Sequence, residues 1–81
     1  MNDRPDIVDA RGHRCPVPSL RLRARLEGAG PGEVVTLLAT DPMARIDVPH
    51  LMGELGGRVV DIEADGTTLR ITVETGGVPR G

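Results

Sequence analysis

Apolar and polar positions along the chain change period several times, and each change marks an element. Ile7-Val8-Asp9-Ala10 is a short apolar run that reads as a first strand. From Ser19 to Glu27 the pattern is ambiguous, because Leu20, Leu22, Ala24 and Leu26 alternate with Arg21, Arg23 and Arg25, which by period alone is a strand. Residue type points the other way. Every residue after Ser19 is a strong helix former and none is β-branched, prolines stand in front, where a missing N–H costs nothing, and Gly28 follows as a stop. A helix is therefore expected over about Pro16 to Glu27, with Ser19, Leu22 and Leu26 on the core face and Leu20 partly exposed on the other side.

After a turn at Ala29-Gly30-Pro31-Gly32, residues Glu33 to Ala39 form a near-continuous apolar, β-branched run that predicts a central strand covered by helices. A second helix is expected to start near Asp47, which can cap it, with Pro49 in its first turn. It carries Leu51, Met52 and Leu55 and stops at Gly56-Gly57. Arg58 to Glu63 and Thr68 to Val73 read as strands around an Asp65-Gly66 hairpin signal. Leu69, Ile71 and Val73 alternate with Thr68, Arg70 and Thr72, so one side of the sheet is polar. The expected fold is α+β: a two-layer α/β sandwich in the order β-α-β-α-β-β, its four-stranded mixed sheet carrying two helices on one face. The first strand pair should be parallel and the last an antiparallel hairpin. The chain reads as one domain, residues 1–81, with a core over about 7–74 and a frayed tail over 75–81.

Composition narrows the chemistry. The chain has 81 residues with one cysteine and no Phe, Tyr or Trp, and all ten of its basic residues are arginine. One cysteine forms no internal disulfide and no multi-cysteine zinc site. The lack of aromatics removes base stacking and disfavours direct nucleic-acid binding, and the lack of lysine removes Schiff-base and P-loop chemistry. No apolar run reaches membrane-spanning length, so a cytoplasmic protein with a reduced thiol is expected. The net charge of −2 conceals an asymmetry: residues 11–25 hold Arg11, Arg14, Arg21, Arg23 and Arg25 and no acid. The plain reading is a solvated helix face. The sharper one is a positive patch that stabilises an anion at Cys15 and recruits an acidic partner.

Cys15 lies at the loop-to-helix junction directly before Pro16, in the expected cap position, where free N–H groups, the helix dipole and nearby Arg14 and Arg11 would favour a thiolate. Gly12 lets the backbone turn there, and Pro16 and Pro18 stiffen the approach. The stretch Val8-Asp9-Ala10-Arg11-Gly12-His13-Arg14-Cys15-Pro16-Val17-Pro18 resembles the signature of the TusA/SirA-like sulfur-carrier family, with its aspartate, glycine and Cys-Pro-x-Pro. Asp41-Pro42 followed by Asp47-Val48-Pro49 is similar to that family's second block, and the likeness runs from about Ile7 to Glu74. The sequence departs from the pattern at His13, where leucine is common, and at Thr40-Asp41, where an acidic pair is common.

The resemblance implies a sandwich similar to the C-terminal domain of bacterial translation initiation factor three. It also implies that Cys15 takes sulfane sulfur as a persulfide from a cysteine desulfurase or rhodanese. The sulfur would pass to an acceptor protein in tRNA thiolation, molybdenum-cofactor synthesis or sulfur metabolism, and some members act instead in regulation or thiosulfate uptake. No cofactor beyond that covalent sulfur is expected, and a carrier that meets several partners in turn suits a monomer. Arg14, Pro16, Pro18, Gly12, Asp9 and His13 are the expected supporting residues, and Leu20, Arg21, Arg23 and Asp41 the partner-binding ones.

Other readings stand beside this one. His13 is either a base for Cys15, which requires hydrogen-bond reach, or a surface residue near the partner interface. His50 reads as exposed or capping, and no metal-ligand spacing links the histidines, Cys15 and an aspartate. Asp9 and Asp41 read as loop-bonding groups around the cysteine, and Met43 and Met52 as core or rim fillers. A second function class is a non-catalytic module that docks protein or RNA through the arginine-rich first helix.

Overall fold

A computed structural model of the chain describes residues 6–76. Its elements run β1 (Ile7–Ala10), α1 (Val17–Leu26), β2 (Val34–Ala39), α2 (Ala44–Leu55), β3 (Arg58–Asp65) and β4 (Thr68–Glu74). The sheet order is β1-β2-β4-β3: β1 pairs parallel to β2, and β4 pairs antiparallel to both β2 and β3. The α+β sandwich expected from the pattern is the one observed. A register shift between Val59 and Asp61 leaves Val60 unpaired and half exposed at the bulge.

Side-chain alternation fixes which face is covered. Val35, Leu37 and Ala39 of β2 and Leu69, Ile71 and Val73 of β4 are buried with Leu22 and Leu26 of α1 and Val48, Leu51 and Met52 of α2. Val8, Val59 and Ile62 pack around that core from the edge strands. The other face is polar, with Thr36 and Thr72 paired by hydroxyls 3.2 Å apart and Arg58 bridging to Glu74 at 2.9 Å.

Three expectations need correction. On α1 the inward stripe is Pro18, Leu22 and Leu26, at i, i+4 and i+8. Ser19 is half-buried beside that stripe, its hydroxyl oxygen turned inward and buried without a hydrogen-bond partner among the described residues. α2 starts at Ala44, three residues before Asp47, because Asp41 supplies the start: its Oδ1 accepts the Met43 N–H at 2.9 Å, and Ala44 N–H donates to the Asp41 carbonyl at 3.0 Å. Pro49 therefore lies inside the helix and withholds one N–H, a loss offset by burial of Val48, Leu51 and Met52. The expected tail also begins too early. Thr75 is tied down by its N–H to the Glu33 carbonyl at 2.8 Å and by its hydroxyl to the Gly30 carbonyl at 2.6 Å. The rest of that tail, 77–81, lies outside the described residues. At this end of the sandwich Gly56 closes α2 with φ +80°, and Gly76 runs so close to the Gly56 backbone that a Cβ at position 76 would collide with it.

Candidate functional site

The end of the sheet where β1 and β2 stop is shared by two loops that lead into the two helices. Both loops are held together by hydrogen bonds between them. Gly12, at φ +85°, turns the chain away from β1 and donates its N–H to Thr40 Oγ1 at 2.8 Å. Three residues on, the Cys15 N–H donates to Asp41 Oδ2 at 2.8 Å. Asp41 thus bonds Cys15 with one oxygen and starts α2 with the other. The pull of those two N–H groups holds its carboxyl below the usual carboxylate range, and nearby Arg14 adds to it.

Cys15 is half-buried in this junction. The α1 cap position falls to Pro16, one residue later than the sequence suggests, and the Cys15–Pro16 peptide bond is cis. The expectation of a stabilised thiolate is overturned. The thiol is pushed up from an ordinary 9.0 to about 11, first by burial, then by a hydrogen bond to Asp47, then by the negative charges of Asp41 and Asp47. Four of the nearby arginines have partners of their own. Arg11 closes back on Asp9, with Nε to Oδ1 at 2.9 Å and Nη2 to Oδ2 at 2.7 Å, and this pair holds Asp9 down at about 2. Arg21 donates to the Asp9 carbonyl at 3.1 Å, Arg25 bridges to Glu33 at 3.2 Å, and Arg23 stands 3.9 Å from Glu54. Four of the five arginines in the run are thus engaged with acids or a carbonyl, while Arg14 lies near Asp41.

The remaining expected residues are placed as follows. His13 is exposed and lines an open cleft with Gly12, Arg14, Thr40, Asp41 and Pro42; among the described residues it makes no hydrogen bond to Cys15. Pro18 is buried as a core residue. Leu20 is 58% exposed, and Val17, Met43 and Ile46 are also exposed on the opening turns of the two helices. Met52 is buried and Met43 forms rim, which matches the two roles expected of methionine. His50 is exposed and sits 3.3 Å from Glu54. Among the described residues no group of His, Cys, Asp and Glu is arranged to hold a metal ion, and no helix is long and apolar enough to cross a membrane.

Asp47, expected to cap α2, lies instead inside its first turn, where its negative charge adds to that of Asp41 near Cys15.

Comparison with known proteins agrees with this geometry. Residues 6–75 match the sulfurtransferase TusA family. The chain belongs to that family. It is 41% identical over 56 residues to a protein of Archaeoglobus fulgidus named "Putative sulfur carrier protein", which covers 69% of this chain and 73% of that one. Its fold superposes with a TM-score of 0.76 on the crystal structure of a SirA-like protein from Desulfitobacterium hafniense, at 28% identity, over 86% of this chain and 96% of the other. These likenesses place the chain among sulfur carriers, proteins that meet a sulfur donor and a sulfur acceptor.

Proposed function

We propose that Cys15 is the sulfur-bearing residue, that it accepts sulfane sulfur as a persulfide from a cysteine desulfurase or rhodanese-type donor, and that it relays this sulfur to an acceptor protein. One observation carries the reading. The chain's one cysteine stands at the joint between the two loops, backbone-pinned by Asp41 and reachable from solvent. The absence of a second cysteine suits a carrier, because no resolving thiol can expel the sulfur internally.

In the transfer, the Cys15 sulfur gives up its proton and attacks the terminal sulfur of a donor persulfide, R–S–SH. A new S–S bond forms on Cys15, the donor's S–S bond breaks, and the donor sulfur leaves with the electron pair and takes up the proton released. The products are Cys15–S–SH and R–SH, with no outside oxidant or reductant. Asp41 holds the Cys15 backbone in place, while Val17, Leu20, Met43 and Ile46 offer an exposed apolar rim for a partner.

The test is intact-mass analysis of the reduced protein after incubation with a cysteine desulfurase and cysteine, or with a rhodanese and thiosulfate. The expected result is a gain of one sulfur atom on the wild type and none on Cys15→Ser. A wild type that gains no sulfur from either donor would sink the reading.

A further inference from the structure

Most of the described arginines hold an acid or a carbonyl. Arg11 closes on Asp9, and Arg21 reaches the Asp9 carbonyl. Arg23, Arg25, Arg58 and Arg70 stand against Glu54, Glu33, Glu74 and Glu63. Arg14 and Arg45 are the exceptions. Both are exposed, and among the described residues neither side chain forms an ion pair or a hydrogen bond. A shortage of acids does not explain this, because the chain holds 12 acids against 10 arginines.

The two free guanidiniums belong to one place. Arg14 lines the open cleft that it shares with Thr40, Asp41 and Pro42. A second open cleft adjoins the same loop. Thr40 and Pro42 line it too, now with Arg45 and with Gly66 and Thr67 of the β3–β4 turn. The Thr40-Asp41-Pro42 loop is thus a ridge between two clefts, with one unpaired arginine in each. Asp41 is the carboxylate on that ridge, and its two oxygens already accept the Met43 and Cys15 N–H groups. Two guanidiniums against one carboxylate leave the ridge positive, and the Cys15 backbone is tied to it.

We propose that this ridge is the charge-recognition surface of the sulfur site: Arg14 and Arg45 take carboxylates from an acidic, extended segment of the protein that exchanges sulfur with Cys15. This rests on the reading of Cys15 as the sulfur acceptor. A guanidinium matches a carboxylate with two parallel hydrogen bonds. Two open clefts on either side of a loop suit a chain laid across it, whereas a small molecule is held by an enclosed and mostly apolar pocket. Protein is favoured over nucleic acid because the chain has no aromatic ring on which a base could stack. Met43 and Ile46, 47% and 63% exposed, flank Arg45 in sequence and set apolar surface beside the charge, as at a protein interface. Arg21 and Arg23, the arginines expected to meet a partner, would first have to leave Asp9 and Glu54.

The probe is a fluorescein-labelled tetraglutamate peptide, titrated into isotope-labelled protein at low salt, with oligouridylate and tetralysine as comparisons. Tetraglutamate should shift the backbone amide resonances of Gly12, Arg14, Thr40 and Thr67, on both flanks of the ridge, and added salt should weaken it. Arg14→Gln and Arg45→Gln should each weaken binding roughly 3-fold and the double variant roughly 10-fold. Arg70→Gln, on the open face of the sheet, should match wild type. Circular dichroism checks that each variant keeps the fold, and the wild-type shifts locate the binding without any variant. Shifts centred on Arg21 and Arg23 of α1, no binding of tetraglutamate at low salt, a double variant that binds as wild type does, or tighter binding of oligouridylate or tetralysine would each overturn the proposal. A protein that binds tetraglutamate on the ridge yet gains no sulfur from either donor rejects Cys15 as the acceptor and leaves the ridge standing. One that gains sulfur but does not bind tetraglutamate there rejects the ridge alone.

Discussion

α1 and α2 begin side by side at Cys15, but their opening turns are built from opposite chemistry. α1 opens on Pro16 with no side-chain hydrogen bond at its cap, no acid in its first turn, and Arg23 and Arg25 in its last. α2 opens on Met43, likewise without a side-chain bond from its cap residue, but the Asp41 carboxylate in the loop before it takes the Met43 N–H and Asp47 lies in its first turn. The two approaches share one acceptor: the same Asp41 that takes the Met43 N–H also takes the Cys15 N–H. Besides burial, the influences on the sulfur come from Asp41 in the loop before α2 and Asp47 in its first turn. Local sequence sets arginine beside Cys15, and the fold brings the Asp41 carboxylate to its backbone.

Breaking each side of this comparison should give graded effects. The largest is chemical: Cys15→Ser should lose all persulfide loading while the fold is retained, as seen by mass and circular dichroism. Next is the core beneath both helix starts. Leu22 is fully buried under α1, and Leu22→Ala should destabilise the domain by about 2–5 kcal/mol in urea unfolding. Asp41→Ala removes the acceptor common to both starts, so the amides of Cys15 and Met43 should lose hydrogen-exchange protection together; loss at Met43 alone would separate the two starts. A smaller effect is alkaline. The folded thiol is raised from 9.0 to about 11, so its contribution is fully present below about pH 9 and is lost as pH rises through 11. With no lysine and no tyrosine in the chain, Cys15 is the side chain that titrates in that window, and Cys15→Ser should flatten the fall in stability. The smallest effect is acidic. Asp9, held down at about 2 by Arg11, contributes stability above the ordinary carboxylate range and loses it as pH falls toward 2. Both side chains are about half exposed, so added salt should erase most of that contribution.

Much of the fold was legible because strands and helices obey short periods. The alternation of Leu69, Ile71 and Val73 gave β4 its buried face, and the β-branched run from Glu33 gave β2 its central place. Helix-forming residues overrode the strand-like alternation in α1, as residue type indicates it should. The start of α2 differs from the expected one because the Asp41 side chain reaches past Pro42 to hold the N–H of Met43, the cap residue, while Asp47 resembles a cap by type alone. Thr75 was read as tail because its ties run to Gly30 and Glu33, more than forty residues back.

The site divides in the same way. The lone cysteine before a proline, the Gly12 turn and the aspartates of the second block are sequence facts, and together they pointed to Cys15 and to the family. The protonation state of that sulfur belongs to tertiary structure. Charge effects act through space at a few ångströms, and residues 41 and 47 reach Cys15 only once β1 and β2 pair and the two helices lie on one face. Sequence thus determined which atom is proposed to carry sulfur, and folding decided which charges lie near it, because proximity across that distance along the chain exists only in the folded sheet.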